Sequence, residues 1–237
     1  MRSPAVLGRT VAFLFQLINC KYNPQYCAVP DRICAAALKH DFGKNEIILH
    51  LSKILLLKTI LTQQQIDLTI KRLANQVLEN HVDLAQTVLL GIQPRGIYLS
   101  DRIVAEIKKE AQGVGLSYGK LDITFYRDDI RNELHVPSQT DLPFSLEGKD
   151  VVLIDDVLYT GRTTRAALDA LLAFGRPRKV ELLVLIDRRF SRELPIQPDY
   201  KGRSIDSIIT QKVKVYWQEK DGKDEVVLLG DAMNTKN

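Results

Sequence analysis

The alternation of apolar and polar residues divides the chain into elements. Thr62-Gln63-Gln64-Gln65 reads as a capping box, with Thr as N-cap and Gln three residues on. Ile66, Ile70, Leu73 and Val77 follow on one helical face, which predicts a helix over 63–80. Thr87 to Ile92 (TVLLGI), Val151 to Ile154 and Val180 to Ile186 are short runs, apolar but for Thr87 and Glu181, the pattern of strands buried on both faces. Gly96 to Lys109 carries Ile97, Ile103, Val104 and Ile107 on one side, and Arg162 to Phe174 is helical as well. Leu121 to Tyr126 alternates like a strand. Asp128 to Gly148 is polar, holds Pro137 and Pro143, and has no sustained period. It reads as a long loop, of the length that often forms an active-site lid. Two late strands are expected around 213–217 and 225–229, joined by the turn Asp221-Gly222.

Apolar strands alternating with helices predict an α/β domain, a parallel sheet flanked by helices on both faces. Ligands in that architecture sit beyond the C-terminal strand ends. Three turns therefore carry the candidate chemistry.

The turn after Ile92 is Gln93-Pro94-Arg95-Gly96. Arg95 offers a rigid donor fork for phosphate or pyrophosphate, and Gly96 opens a helix whose first N–H groups are unpaired. A plain strand–helix connector with a surface Arg is the competing reading. The turn after Ile154 is Asp155-Asp156-Val157-Leu158-Tyr159-Thr160-Gly161-Arg162-Thr163-Thr164. Hydroxyls and free helical N–H groups make a cradle for a phosphomonoester, and Gly161 lets the backbone close in. Two acceptor-only carboxylates just before it suit a vicinal diol. A ribose 5-phosphate has both a diol and a dianion. A Walker B acid would need a G-x-x-x-x-G-K-[ST] partner; Gly115-Leu-Ser-Tyr-Gly119-Lys120-Leu121 misses both the spacing and the hydroxyl. The turn after Ile186, Asp187-Arg188-Arg189-Phe190-Ser191-Arg192-Glu193-Leu194-Pro195, is either a cover for a flat base or a solvated basic loop.

Charge separates the chain in two. Residues 1–57 hold seven Lys/Arg and three acids, whereas the other 180 residues hold 26 of each. The main body thus lacks the bulk basic charge of a nucleic-acid binder, and any such site must be a local patch. Cys20, Cys27 and Cys34 all lie in the first 57 residues, without the paired spacing of a zinc site. A body free of cysteine suits a reducing cytoplasm. No apolar run is long enough to span a membrane. The acid-poor start resembles a transit peptide, and Val11 to Ile18 is a short version of a signal run. An N-terminal extension over 1–57 with little fold of its own is the favoured reading, with the functional domain over 58–237.

The string VVLIDDVLYTGRTT resembles the phosphoribosyl-pyrophosphate (PRPP) loop of the type I phosphoribosyltransferases. The flanks GIQPRGIYL, LDITFYRDD, ALDALLAFGRPRKVELLVLIDR and RELPIQPDYKGR are similar to the bifunctional pyrimidine operon attenuation regulator/uracil phosphoribosyltransferase family. The resemblance covers about Thr59 to Leu229 and leaves out residues 1–57. It implies the type I fold, a parallel sheet with a small hood and a flexible loop. It implies that uracil and PRPP, with Mg²⁺ bound through PRPP rather than directly by the protein, give UMP and pyrophosphate. By position, Asp155 and Asp156 hold the ribose hydroxyls. Thr160, Gly161, Arg162, Thr163 and Thr164 hold the 5-phosphate, with Val157, Leu158 and Tyr159 completing the loop. Arg95, between Pro94 and Gly96, faces the pyrophosphate. Tyr126, Arg127, Asp128 and Asp129 begin the flexible loop; Asp187, Arg188 and Arg189 begin the uracil hood.

Regulatory members of that family present a Thr-Arg pair and a His on the first helix to RNA. The matching positions here are Lys71, Arg72 and Asn75, so only Arg72 is kept. Arg192, Lys201 and Arg203 could extend an RNA face. The alternative reading is therefore an attenuator of pyrimidine-operon leader mRNA, responsive to UMP or UTP, with weak or no catalysis. The family also implies a homo-oligomer, a dimer or larger.

Overall fold

A computed structural model of the protein describes residues 57–111, 115–127, 142–207 and 211–230, all within the unit Leu55–Asn237. The three cysteines, the readings of residues 1–56, and Asp128 and Asp129 lie outside the described residues.

Five strands form a parallel sheet: β2 (Thr87–Ile92), β3 (Ser117–Leu121), β4 (Asp150–Leu158), β5 (Lys179–Arg188) and β6 (Tyr200–Ile205), in the spatial order β3-β2-β4-β5-β6. Helices α1 (Gln63–Asn80), α2 (Gly96–Glu110) and α3 (Arg162–Leu171) connect or flank them. One hydrophobic core lies where α1 and α2 meet the sheet, through residues such as Leu73, Ile103, Val152 and Leu185. A second core joins α3, through Ala166, Ala167 and Ala170, to Leu90, Val151, Leu153 and Val184. Successive residues of β4 thus serve opposite cores, which is why VVLI is apolar without alternation. The capping box holds: Gln65 Oε1 accepts from the Thr62 N–H at 3.0 Å.

A smaller antiparallel sheet has the order β1-β8-β7, formed by β1 (Leu57–Thr62), β7 (Lys212–Tyr216) and β8 (Glu225–Leu229). It is the hood of the fold. A one-turn helix α4 (Gln218–Asp221) precedes Gly222, whose φ of 72° only glycine adopts easily.

The strand expected over 121–126 is corrected. The strand is Ser117–Leu121, and Thr124–Tyr126 is a short 3₁₀ turn. Asp122 Oδ1 accepts from the Thr124 N–H at 2.8 Å and from its hydroxyl at 2.6 Å, which curls the chain away from the sheet. The strand expected to stop at Ile154 continues to Leu158, so both carboxylates stand on strand backbone. The helix expected to reach Phe174 ends at Leu171 and tightens into a 3₁₀ turn over Leu172–Phe174. β1 and β6 were absent from the sequence reading.

Candidate active site

The strand order reverses between β2 and β4, and the crevice beyond their C-terminal ends is where such sheets bind ligands. Gln93–Gly96 leaves β2 at this point, with a cis bond between Gln93 and Pro94. Gly96 lies against β4: a Cβ there would come within 2.5 Å of the Ile154 carbonyl oxygen and 3.1 Å of Asp155 Cα. Only glycine lets this turn approach the strand that carries the acids.

Asp155 and Asp156 are both buried, and the Asp156 N–H donates to Asp155 Oδ1 at 2.8 Å. Burial pushes the Asp155 carboxyl well above the usual carboxylate range, and the negative charge of Asp156 adds to the shift. Burial raises Asp156 as well, while Arg95 draws it back down. Such a pair is poorly solvated, which suits it to accept hydrogen bonds from sugar hydroxyls.

Arg95 Nε donates to Asp156 Oδ2 at 3.2 Å. Its Nη2 donates to the Val215 carbonyl of β7 and lies 3.8 Å from Asp221. Arg95 thus ties the first turn to the acids and to the hood.

The segment 157–164 wraps a cavity of about 280 Å³, lined also by Asp155, Arg127 and Glu193. Gly161 has φ 95° and begins α3. A side chain there would be strained and would press on Leu194 and Ile196. The first turn of α3 leaves N–H groups without intrahelical partners, a geometry suited to an anion. Arg162 donates from Nε to Glu193 at 2.7 Å.

The site residues expected from the sequence fall into three groups. Asp155, Val157 to Thr164 and Arg127 meet around one cavity, and Asp156 and Arg95 join them by direct contact. Pro94 and Gly96 form the turn behind the acids, whereas Tyr126 stands partly exposed. Asp187, Arg188 and Arg189 are grouped differently from the expectation: Asp187 and Arg188 end β5 and are buried. Arg188 stacks over the Tyr159 ring at 4.0 Å and donates to Ser207 Oγ and the Gln211 carbonyl. Arg189 makes an exposed two-point pair with Asp206, both contacts 2.8 Å. Asp187 and Arg189 line a second cavity of about 690 Å³ together with Arg192 and Lys201. Sequence reasoning missed Glu193 as a lining residue; it lies in RELPIQPDYKGR, but nothing in that string separates it from a surface acid.

The expected RNA residues divide. Arg72 of α1 donates to the carbonyls of Lys201 (3.2 Å) and Gly202 (2.7 Å), and Arg203 donates to the Ile60 carbonyl at 2.8 Å. Arg72, Lys201 and Arg203 therefore share one region. Arg192 lies apart from them: its guanidinium donates to the carbonyls of Ile196, Leu158 and Tyr159 and to Asp187.

A model of the phosphoribosyl transferase domain matches residues 57–220. The chain belongs to the phosphoribosyltransferase family. Within it, the curated relatives share one description. The bifunctional protein PyrR of Picosynechococcus sp. is 48% identical over 171 residues, 72% of this chain and 96% of that protein. The bifunctional protein PyrR of Chloroflexus aurantiacus is 45% identical over 179 residues, 75% of this chain and 97% of that protein. Among solved structures, the hypoxanthine phosphoribosyltransferase of Staphylococcus aureus matches with a TM-score of 0.56 at 22% identity, over 74% of this chain and 94% of that one. That of Trypanosoma cruzi matches at TM-score 0.56 and 18% identity, over 73% and 96%. At those identities the solved structures establish the phosphoribosyltransferase fold alone. The type I fold expected from the sequence is the fold observed. Among the described residues, no helix is long and apolar enough to cross a membrane.

Proposed function

We propose that this phosphoribosyltransferase transfers the phosphoribosyl group of PRPP to uracil, giving UMP and pyrophosphate. The observation that carries the reading is the pairing of two buried, raised-pKa carboxylates with a glycine-closed phosphate cradle, at the switch point of the sheet. The relatives' description as PyrR supports uracil as the base.

The chemistry divides among the chain's own residues. The cradle 160–164 binds the 5-phosphate through hydroxyls and helix N–H groups. Asp155 and Asp156 accept the ribose hydroxyls. Departure of pyrophosphate leaves positive charge on the sugar, and the adjacent carboxylates stabilise it as it develops. Arg95 meets the departing pyrophosphate, and Arg127 begins a lid that keeps water from the cation. Asp187 and Arg188 shape the base end. Mg²⁺ supplies charge neutralisation on the pyrophosphate. A pair of carboxylates beside a phosphate cradle fits a cation carried by substrate oxygens and water. A cytoplasmic setting is part of the same reading.

A second reading, binding of pyrimidine-operon leader mRNA under control of UMP or UTP, rests on the shared region of Arg72, Lys201 and Arg203. The word bifunctional in the relatives' description favours it. A homo-oligomer would enlarge such a face.

The test is Asp155→Asn combined with Asp156→Asn, isosteric changes that leave the strand intact. UMP synthesis should fall at least about a hundredfold, the scale of losing preorganised charge at a developing cation, with an unchanged circular dichroism spectrum. Near-normal turnover in the double variant would remove the site assignment.

A further inference from the structure

Arg192 lies outside the phosphate loop in sequence and was expected to face RNA. Its Nη1 donates to three carbonyls, those of Leu158 at 3.0 Å, Tyr159 at 2.6 Å and Arg188 at 2.8 Å. Nε donates to the Ile196 carbonyl at 3.0 Å, and Nη2 to the buried carboxylate of Asp187. The next loop carbonyl, that of Thr160, accepts from the N–H groups of Glu193 (3.0 Å) and Leu194 (3.2 Å). Three consecutive loop carbonyls, at 158, 159 and 160, are therefore held by residues 192–194.

Peptide geometry turns this into a statement about the other face of the loop. In a planar trans peptide the N–H of one residue points opposite to the carbonyl of the residue before it. The only cis bond among the described residues is Gln93-Pro94. Fixing the carbonyls of 158 to 160 toward Arg192 and its neighbours aims the N–H groups of Tyr159, Thr160 and Gly161 the other way. Successive N–H groups aimed to one side form an anion-binding concavity, and these residues line the 280 Å³ cavity. The anchor of Arg192, Asp187, ends β5, and the neighbouring Arg188 packs on Tyr159 from the same strand end.

We infer that Arg192 is a positioning residue for phosphoribosyl transfer, a fork that orients the backbone donors of the 5-phosphate loop and locks that loop to the end of β5. This rests on the proposed reading of the loop as the 5-phosphate site. Arginine is required because its planar guanidinium spans several carbonyls and a carboxylate at once; lysine keeps the charge but not the span.

The test uses Arg192→Gln and Arg192→Lys in the full chain, with two readouts. In hydrogen exchange of the substrate-free protein, the amides of Glu193 and Leu194, which donate to the Thr160 carbonyl, should exchange at least about tenfold faster in both variants while those of 87–92 keep wild-type protection. Tenfold corresponds to ~1.4 kcal/mol, just under the range for bonds involving a charged group. In kinetics, KM for PRPP should rise by about tenfold or more, with a smaller fall in kcat. Arg192→Lys, which still neutralises Asp187, should recover the melting temperature but not the loop protection. Exchange at Glu193 and Leu194 within about twofold of wild type in both variants, or equal acceleration there and in 87–92, would overturn the inference. If the wild-type protein forms no UMP, it is the reading of the site that fails, and the exchange readout still decides whether Arg192 holds the loop.

Discussion

At the scale of single residues, the chemistry sits where the sequence already looked odd, at an apolar strand running into two acids. That oddity carries an energetic cost. The Asp155 carboxyl titrates well above its unfolded-chain value of about 3.9. A carboxyl whose pKa is raised by folding costs stability once the pH exceeds the unfolded value, since it must ionise in a place that resists charge. Asp155→Asn keeps an oxygen to accept the Asp156 N–H and removes that cost. The variant should melt about 2–4 °C higher than wild type at pH 7, or ~1 kcal/mol in a protein of this size, while losing activity. The advantage should shrink as the pH falls, and vanish below about pH 4, where the wild-type carboxyl is also neutral. Calorimetric scans from pH 4 to 8 would show it; a variant that melts lower than wild type at pH 7 would contradict the account. Asp155, Asp156 and Gly161 were legible because acids after a buried strand and a glycine at a helix start are rare without cause. Arg192 was not legible. An arginine in a polar loop looks like a surface cation, and only the fold shows that unpaired carbonyls surround it.

Among elements, legibility followed burial. β2, β4 and β5 are interior strands covered on both faces, so their apolar runs marked them with boundaries close to those observed. β3 and β6 are the edges of the sheet, each pairing with one neighbour. Their sequences, SYGKL and YKGRSI, mix polar residues and glycine and show no sustained apolar run. Gly202 is required there, since a Cβ would meet the Leu185 carbonyl oxygen at 2.4 Å. The end of α1 is fastened to β5 and β6 by a buried polar cluster. His81 Nε2 lies 2.7 Å from Glu181 Oε2, and the Tyr200 hydroxyl donates to the same oxygen at 3.1 Å. Burial opposes ionisation of Glu181, but bonds from Lys179, His81 and Tyr200 outweigh it and hold its pKa below the usual value. A depressed carboxyl contributes stability above its unfolded pKa, and that contribution is lost as the pH falls through the folded value. Glu181→Gln should therefore cost about 2–3 kcal/mol at pH 7, the scale of bonds to a charged group. The deficit should close below about pH 4. Urea unfolding at pH 7 and pH 3.5 checks both halves, and a deficit that persists unchanged at the lower pH would refute the charge-based explanation.

For the molecule as a whole, two strands of the hood, β7 and β8, were legible in the sequence, but the third, β1, was not. Leu57 pairs with Leu229 across the length of the unit, a contact that no local period announces. The hood nevertheless belongs to the site, since Val215 accepts from Arg95 and Arg95 reaches Asp156. Trp217, buried beneath Arg102 at 4.9 Å, fixes the hood against α2. The whole arrangement therefore places the glycine-closed loop, a carboxylate pair and the hood beside one another. The family's fold is shared by enzymes acting on other bases, as the hypoxanthine phosphoribosyltransferases of similar fold illustrate. Base choice is thus the most demanding claim. The measurement that tests it is incubation of purified full-length protein with Mg²⁺, PRPP and radiolabelled uracil, with hypoxanthine and orotate in parallel. The account predicts UMP from uracil and no nucleotide from the other two bases. Nucleotide formed from hypoxanthine or orotate but not from uracil, or from none of the three, would contradict it.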